Sequence, residues 1–220
     1  MKRFDLSLYL VLDEDMCRPR NMAETARAAV AGGASMVQLR GKRMGTAGLI
    51  RAGQELKAAL AGSQAVLIVN DDPEAALALG AGLHVGQEDM PASEARARLG
   101  ADAILGLSVE TEAAARRVDP AVVDYVGIGP VFATSTKPGH MPPTGIAGLA
   151  RLVALCPVPA VAIGGLKAEH VSAVLASGAQ GLAVVSAICG TPSPETAARE
   201  IAALMTAWRA ARMPPGVRRA

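Results

Sequence analysis

The stretch GGASMVQLR, Gly32 to Arg40, reads as the end of a helix followed by the start of a buried strand. Glycine tolerates the left-handed backbone conformation that closes a helix, and the apolar residues after it are typical of a strand. The same order of glycine, alanine and an apolar run returns in LGAGLHV (79–85), LGADAIL (99–105) and SGAQGLA (177–183). This repetition predicts duplicated helix-to-strand units.

Eight short aliphatic runs alternate with helix-patterned segments along the chain. They are apolar on both faces, which is typical of parallel strands covered by helices. The pattern predicts an α/β fold, a single (β/α)8 TIM barrel. A doubly wound open sheet is the alternative, although no GxGxxG pattern follows the first run. The runs fall at residues 6–12, 36–40, 66–70, 82–86, 103–109, 122–129, 159–165 and 181–188.

Composition limits the classes of function. The chain has 220 residues, of which 51% are apolar and 2% aromatic, and a net charge of +2. We expect one catalytic domain over residues 1–212 and a flexible basic tail over 213–220. Scattered basic residues and scarce aromatics argue against nucleic-acid binding. The three cysteines form no CxxC pattern, and no N-terminal segment looks long enough for a signal or a membrane span, so we expect a cytoplasmic protein without a membrane partner.

Polar residues follow several of the predicted strands, and in a barrel these strand ends meet at one mouth. The second run ends in QLRGK, where Gln38, Arg40 and Lys42 alternate toward the same side. A solvated strand end with ordinary basic residues is the alternative for this piece.

The third run ends in VNDD and the fourth in GQEDMP. One acid after the third run is expected to cap the next helix, and Ser93 can cap the helix after the fourth. Acids left over on adjacent strand ends fit a hard cation held by carboxylates, whereas two ordinary helix caps are the alternative.

The later strand ends predict anion binding. Thr134, Thr136 and Lys137 lie in a Gly/Pro-rich loop that suits an anionic oxygen cluster. The seventh run ends in AIGGL and the eighth in AVVSAI, at the positions where this barrel commonly binds phosphate, although plain turn glycines are the alternative. Ser108, near the end of the fifth run, is a binding residue or a helix cap. His84 is interpreted as a structural residue outside the site.

Seven segments occur in order and together resemble the thiamine phosphate synthase family over about residues 7–206: VQLRGK, VNDD, GLHVGQEDMP, LGLSVE, GPVFATSTK, AIGGL and AVVSAI. The resemblance implies a barrel enzyme that joins 4-amino-2-methyl-5-(diphosphooxymethyl)pyrimidine to 4-methyl-5-(2-phosphooxyethyl)thiazole. Thiamine phosphate and diphosphate are the implied products, and Mg²⁺ is the implied cofactor. Gly41 and the loop after Lys137 depart from the common pattern of the family.

The resemblance also implies roles for individual residues. It assigns the pyrimidine diphosphate to Gln38, Arg40, Lys42, Asn70, Ser108 and Lys137, and catalytic roles to Arg40, Lys42, Ser108 and Lys137. It assigns the magnesium ion to Asp71 and Asp89. It assigns the thiazole to Thr134 and Thr136, and the thiazole phosphate to Gly165, Val185 and Ser186.

The implied reaction is a dissociative substitution that needs charge neutralisation and placement but no general base. Two other functions stay open at this point: a thiazole tautomerase-like relative on the same fold, and a non-catalytic sensor of phosphorylated ligands. The combined metal and cation sets favour the transferase. Small molecules are the expected partners, and a homo-oligomer is left open.

Overall fold

A computed structural model of the protein describes residues 4–134 and 141–212. Eight parallel strands form a closed barrel in chain order, because β1 pairs with both β2 and β8. The predicted (β/α)8 barrel is therefore confirmed, and the open-sheet alternative is wrong. The strands are β1 (Leu8–Asp13), β2 (Met36–Arg40), β3 (Val66–Asn70), β4 (Gly82–Val85), β5 (Leu105–Val109), β6 (Tyr125–Ile128), β7 (Ala160–Ile163) and β8 (Gly181–Val184).

Helices follow the strands and cover the outside of the barrel. A short 3-10 turn over Ala168–His170 precedes the seventh helix. Within the described residues, no helix is both long enough and apolar enough to cross a membrane. The helices are α1 (Met22–Ala31), α2 (Gly45–Ala59), α3 (Pro73–Leu79), α4 (Ala92–Leu99), α5 (Glu112–Arg116), α6 (Gly145–Leu155), α7 (Val171–Ala176) and α8 (Pro194–Ala210). The predicted tail, residues 213–220, lies outside the described residues.

Two apolar clusters occupy the two faces of the sheet. In β1, Leu8, Leu10 and Leu12 belong to the large cluster between strands and helices. Tyr9 and Val11 alternate with them and belong to a smaller cluster that fills the barrel interior. This interior cluster also contains Ile68 and Tyr125, both fully buried. Strand side chains that point inward near the carboxyl ends therefore sit above a packed floor rather than an open pore.

The helix caps show which acidic residues at the strand ends are used for capping and which are free to bind a ligand. Asp72 is the N-cap of α3, where its side chain accepts a hydrogen bond from the Ala75 amide at 2.8 Å, so the expected capping acid is found. Ser93 lies inside α4, which begins after Pro91 without a side-chain cap. The prediction that Ser93 can cap this helix is therefore wrong, because Pro91 occupies the N-cap position and Ser93 is already the second helical residue.

Closure of the barrel brings two distant cysteines together. The thiols of Cys17, after β1, and Cys189, after β8, are both buried and lie 3.6 Å apart. The third cysteine, Cys156, is half-buried, and all three cysteines are free in the structure.

Candidate active site

A cavity of about 500 Å³ lies at the carboxyl ends of the strands. Every predicted site residue within the described ranges lines it, so the structure brings the separate strand ends together. Thr136 and Lys137, the two remaining predicted residues, lie outside the described residues. The lining residues that were predicted are Gln38, Arg40, Lys42, Asn70, Asp71, Asp89, Ser108, Thr134, Gly165, Val185 and Ser186.

Arg40 supplies a fixed positive charge to one wall of the cavity. It forms an ion pair with Asp13, the last residue of β1, and the two side chains are only 11% and 16% exposed. A guanidinium held in this way has little conformational freedom left to lose when an anion binds beside it. Lys42 lines the same wall but is exposed. Arg40 therefore differs from an ordinary solvated strand end, whereas the exposed Lys42 is compatible with that alternative.

Asp71 is held in an unusual backbone conformation directly after β3. Its φ of 64° makes it the one non-glycine residue with a positive φ in the part of the chain that the structure describes. Such strain is concentrated at functional sites in folded proteins. The Asn70 amide donates a hydrogen bond to the Asp71 carboxylate. Since the neighbouring Asp72 is the helix cap, Asp71 is the acid that is left over at this strand end.

Asp89 approaches Asp71 from the loop after β4. Its carboxylate accepts a hydrogen bond from the Gly86 amide at 2.8 Å and caps no helix. Burial, and next the Asp89 carboxylate, raise the pKa of Asp71 to about 6, while Asn70 and Lys42 oppose this shift. Two converging carboxylates that repel each other are the donor set that a hard divalent cation would neutralise.

This donor set fits Mg²⁺ better than a transition metal. Among the described residues no group of three or more His, Cys, Asp or Glu side chains could hold a metal. Mg²⁺ commonly uses one or two carboxylates and completes its octahedron with water and substrate phosphate oxygens. The Asp71 and Asp89 pair therefore fits a magnesium ion that takes its remaining ligands from water and a diphosphate.

Asp71→Asn is expected to raise the melting temperature of the metal-free protein. The pKa of about 6 lies above the usual 3.8, so this carboxyl stabilises the fold at low pH and loses that contribution as the pH rises through 6. Removing the charge should therefore raise the melting temperature by about 2 °C or more at pH 8 and by a smaller amount at pH 5, because the wild type loses this contribution progressively between the two pKa values. Asparagine also tolerates a positive φ.

The matched control for this measurement is Asp72→Asn. Asparagine is as good an N-cap as aspartate, so this variant should melt like the wild type at both pH values. Equal melting temperatures for Asp71→Asn and the wild type at pH 8, measured by calorimetry with a chelator present, would contradict the account of the carboxylate pair.

His84 and Ser108 meet at the floor of the cavity. His84 is only 8% exposed but lines the cavity, and its Nε2 lies 3.0 Å from the Ser108 hydroxyl. His84 therefore borders the cavity, while its burial and its hydrogen bond agree with its interpretation as a structural residue. Ser108 belongs to β5 and is not a helix cap, since Thr111 caps α5. The strand pattern placed His84 correctly, but nothing in it shows which polar partners surround the ring.

The glycines after β7 bring two loops into close contact. Gly164 and Gly165 have φ values of 99° and 64°. A Cβ on Gly165 would lie 2.6 Å from the Ala133 carbonyl oxygen and 2.8 Å from the Phe132 Cβ atom. The turn interpretation of these glycines is thus correct, and it is compatible with an anion site because the same turn borders the cavity beside Val185 and Ser186.

Several residues that line the cavity were not predicted from the sequence. They are Tyr9, Gln87, Glu110 and the glycines of β6 and its loop, Gly127 and Gly129. Gln87 and Glu110 stand next to predicted strand ends and could have been included on that ground. Tyr9 and Gly127 carry no such signal, because an apolar strand does not show which of its residues border a cavity.

Known proteins resemble this chain over almost its whole length. The family model described as thiamine monophosphate synthase matches residues 8–188. The chain is 43% identical over 205 residues to the thiamine-phosphate synthase of Laribacter hongkongensis, covering 92% of this chain and 97% of the relative. It is 44% identical over 209 residues to that of Azorhizobium caulinodans, covering 94% and 98%. The solved thiamine phosphate pyrophosphorylase of Pyrococcus furiosus superposes with a TM-score of 0.82 at 31% identity, covering 92% of this chain and 96% of that one.

Proposed function

Because the chain belongs to the thiamine monophosphate synthase family, we propose how the cavity at its barrel mouth carries out the reaction of that family. The chain is a transferase of thiamine biosynthesis that condenses the 4-amino-2-methylpyrimidine diphosphate with the 4-methylthiazole phosphate, giving thiamine phosphate and diphosphate. The observation that supports the site is the convergence of the predicted residues from separate strand ends on one cavity.

Positive charge at one wall receives the pyrimidine diphosphate. Arg40, held by Asp13, and the exposed Lys42 face the leaving group, and Lys137 of the loop after β6 is the third cation of this set. These charges bind the diphosphate and neutralise the negative charge that grows on it when the C–O bond breaks. Gln38, Asn70 and Ser108 place the pyrimidine ring so that its methylene carbon faces the second substrate.

Asp71 and Asp89 would hold the magnesium ion beside these cations. When bound, Mg²⁺ supplies Lewis-acid neutralisation of the departing diphosphate oxygens. The two carboxylates themselves orient the diphosphate indirectly, because they determine where along the wall the cation and its phosphate partner can sit. At neutral pH a positive charge between them relieves their mutual repulsion, as protonation of Asp71 does at lower pH.

The thiazole phosphate binds on the opposite side of the mouth. The turn after β7 with Gly165, together with Val185 and Ser186 after β8, offers backbone amides and a hydroxyl to the phosphate. Thr134 and Thr136 contact the thiazole ring. With the substrates bound in this way, the methylene carbon of the pyrimidine and the thiazole nitrogen face each other within a single cavity.

Catalysis is then a substitution with a dissociative character. The methylene C–O bond breaks first, and the electron pair leaves with the diphosphate. The pyrimidine amino group supports the positive charge on the methylene, and the neutral thiazole nitrogen donates its lone pair to form the new C–N bond. The nitrogen carries no proton, so no residue of the cavity has to act as a general base, and the neighbouring residues act by placement and charge.

A thiazole tautomerase-like activity and a sensor without catalysis are the alternatives to this assignment. Neither needs a carboxylate pair beside an array of cations. Incubation of the protein with both substrates and Mg²⁺, followed by mass spectrometry, tests the assignment. Thiamine phosphate should form only when both substrates and Mg²⁺ are present, whereas an isomerised thiazole as sole product would support the tautomerase.

A cytoplasmic location is proposed because all three cysteines are free thiols.

Ser186→Ala is expected to weaken only the thiazole side of the reaction. Loss of one hydroxyl contact to a phosphate should raise the KM of the thiazole phosphate about tenfold and leave kcat and the KM of the pyrimidine diphosphate nearly unchanged. Steady-state kinetics with each substrate varied in turn measures this. Ser172→Ala, on the exposed side of α7, is the matched control.

Equal increases of both KM values in Ser186→Ala would contradict the assignment of this serine to the thiazole phosphate. Gly165 is less suitable for such a test. Any side chain there would collide with the loop after β6, and a loss of activity would then report loop displacement rather than phosphate binding.

A further inference from the structure

A chain of hydrogen bonds crosses the barrel interior under the cavity and joins Gln38 on β2 to Ser108 on β5. The Gln38 amide donates to the Tyr9 hydroxyl at 2.8 Å, and this hydroxyl lies 2.9 Å from that of Tyr125. The Tyr125 hydroxyl lies 3.0 Å from Nδ1 of His84, whose Nε2 lies 3.0 Å from the Ser108 hydroxyl. We call these five residues the interior relay.

The two tyrosines of the interior relay remain neutral phenols. Tyr9 is 1% exposed and Tyr125 is fully buried. Burial raises the pKa of both hydroxyls well above the usual 10. Each tyrosine therefore carries one proton, and a buried hydroxyl that fails to donate it costs free energy.

This requirement gives the interior relay a direction. Because Gln38 donates to the Tyr9 oxygen, the Tyr9 proton is satisfied by donation to Tyr125. The Tyr125 proton then goes to Nδ1 of His84, so the neutral ring carries its proton on Nε2 and donates it to Ser108. At the two ends, Gln38 is left with its carbonyl oxygen as an acceptor and Ser108 with its hydroxyl proton as a donor.

The strands on both sides leave room for the two rings of the interior relay. A Cβ on Gly106 of β5 would lie 2.2 Å from Cζ of Tyr125 and 2.5 Å from Nδ1 of His84. A Cβ on Gly127 of β6 would lie 3.2 Å from Cε1 of His84. A side chain at Gly106 would displace both rings. Glycine at this strand position therefore serves ring placement, since strand interiors otherwise disfavour glycine.

We propose that Tyr125 and His84 are positioning residues that fix, through the interior relay, which hydrogen-bonding groups Gln38 and Ser108 present to the pyrimidine substrate. The proposal rests on the proposed function. An aminopyrimidine offers an exocyclic amino group as a donor, which the Gln38 carbonyl accepts, and the Ser108 proton goes to an acceptor atom of the same substrate. The interior relay thus selects a 4-amino over a 4-oxo pyrimidine, whose oxygen would face the Gln38 carbonyl.

Tyr125→Phe is the most direct test, because Tyr125 does not line the cavity and keeps its ring in this variant. Titration calorimetry without the thiazole substrate compares the pyrimidine diphosphate with its 4-oxo analogue. The wild type should prefer the amino form by about tenfold or more, and Tyr125→Phe should lose most of this preference because the Gln38 amide can then turn over. Ile68→Val alters the same interior cluster at a residue whose side chain has no hydrogen-bonding group, and it should keep the preference for the amino form.

A second pair of variants covers the case that Tyr125→Phe does not fold. His84→Gln places an amide where Nε2 stands and can still donate to Ser108, whereas His84→Leu cannot. The Gln variant should retain a larger preference for the amino form than the Leu variant. An unchanged preference in Tyr125→Phe, or equal losses in Tyr125→Phe and Ile68→Val, would overturn the proposal.

The direction of the interior relay is tested independently of any substrate. Nitrogen-15 spectra of the histidine side chains should show His84 as the neutral tautomer protonated on Nε2, and Tyr125→Phe should change its ring shifts. A proton on Nδ1 in the wild type would overturn the assigned direction. This measurement needs no ligand, so it tests the interior relay by itself. If the transferase assignment failed instead, the wild-type protein would bind no pyrimidine diphosphate.

Discussion

Asp89→Asn is expected to reduce kcat by about 10²- to 10³-fold while the protein keeps its fold. The reason is the loss of one of the two carboxylates that would hold the magnesium ion against the departing diphosphate. Asn keeps an oxygen that can accept the hydrogen bond from the Gly86 amide, so the loop after β4 should keep its shape. The concentration of Mg²⁺ that gives half-maximal rate should rise strongly in the same variant.

Glu94→Gln is the control for Asp89→Asn, because Glu94 lies on the exposed surface of α4 and pairs with Arg98. It should leave both the rate and the Mg²⁺ dependence unchanged. The decisive measurement is kcat over a series of Mg²⁺ concentrations. Full activity of Asp89→Asn at limiting Mg²⁺ would show that this acid is no metal ligand and serves only to hold its own loop.

Lys42→Met is expected to lower kcat by about 10²-fold, a typical loss for one preorganised charged group. Methionine keeps most of the length of the side chain and removes the charge. Since the charge on the diphosphate grows in the transition state, the rate should suffer more than the binding of the substrate. The same reasoning applies to Lys137, which we propose to act on the same leaving group.

The neighbouring Arg43→Met serves as the control for Lys42→Met. Arg43 is 68% exposed on its side chain, pairs with Asp15 and does not line the cavity. The comparison therefore separates a cation that faces the cavity from one that faces solvent, one residue apart. A loss of kcat of similar size in both variants would indicate a general effect of positive charge at the barrel mouth and contradict a specific role of Lys42.

The fold could be predicted from the sequence because each strand carries its own signal. β2 and β3 begin and end where the apolar runs do, and β4 to β8 are shorter than their runs by one to four residues. β1 begins two residues later than its run and ends one residue beyond it. The repeated glycine–alanine joints marked the strand starts, and the capping preference predicted that one acid after the third run caps the next helix. These signals are local in the chain, so one sequence is sufficient to interpret them.

Features that depend on contacts between distant segments could not be predicted in this way. The ion pair of Arg40 with Asp13 and the contact of Cys17 with Cys189 exist only because neighbouring or closing strands bring their ends together. The same holds for His84, whose strand position looked structural. Its role depends on hydroxyl groups from two other strands that meet inside the barrel.

The backbone of Asp71 is a further example. Its positive φ is not encoded by a glycine, and the sequence VNDD is equally compatible with two ordinary caps. Only the closed barrel shows that Asp72 satisfies the helix and that Asp71 is turned toward Asp89. Such strain is concentrated at functional sites, and it supports our proposal that Asp71 serves the site.

The most direct test of the two-substrate cavity is a phosphorus-31 NMR time course with the wild-type protein, both phosphorylated substrates and Mg²⁺. The account predicts that diphosphate and thiamine phosphate appear at the same rate and in equal amounts, and that omission of either the thiazole phosphate or Mg²⁺ stops both. Release of diphosphate at an undiminished rate without the thiazole phosphate, or conversion of the thiazole phosphate without any diphosphate, would contradict it.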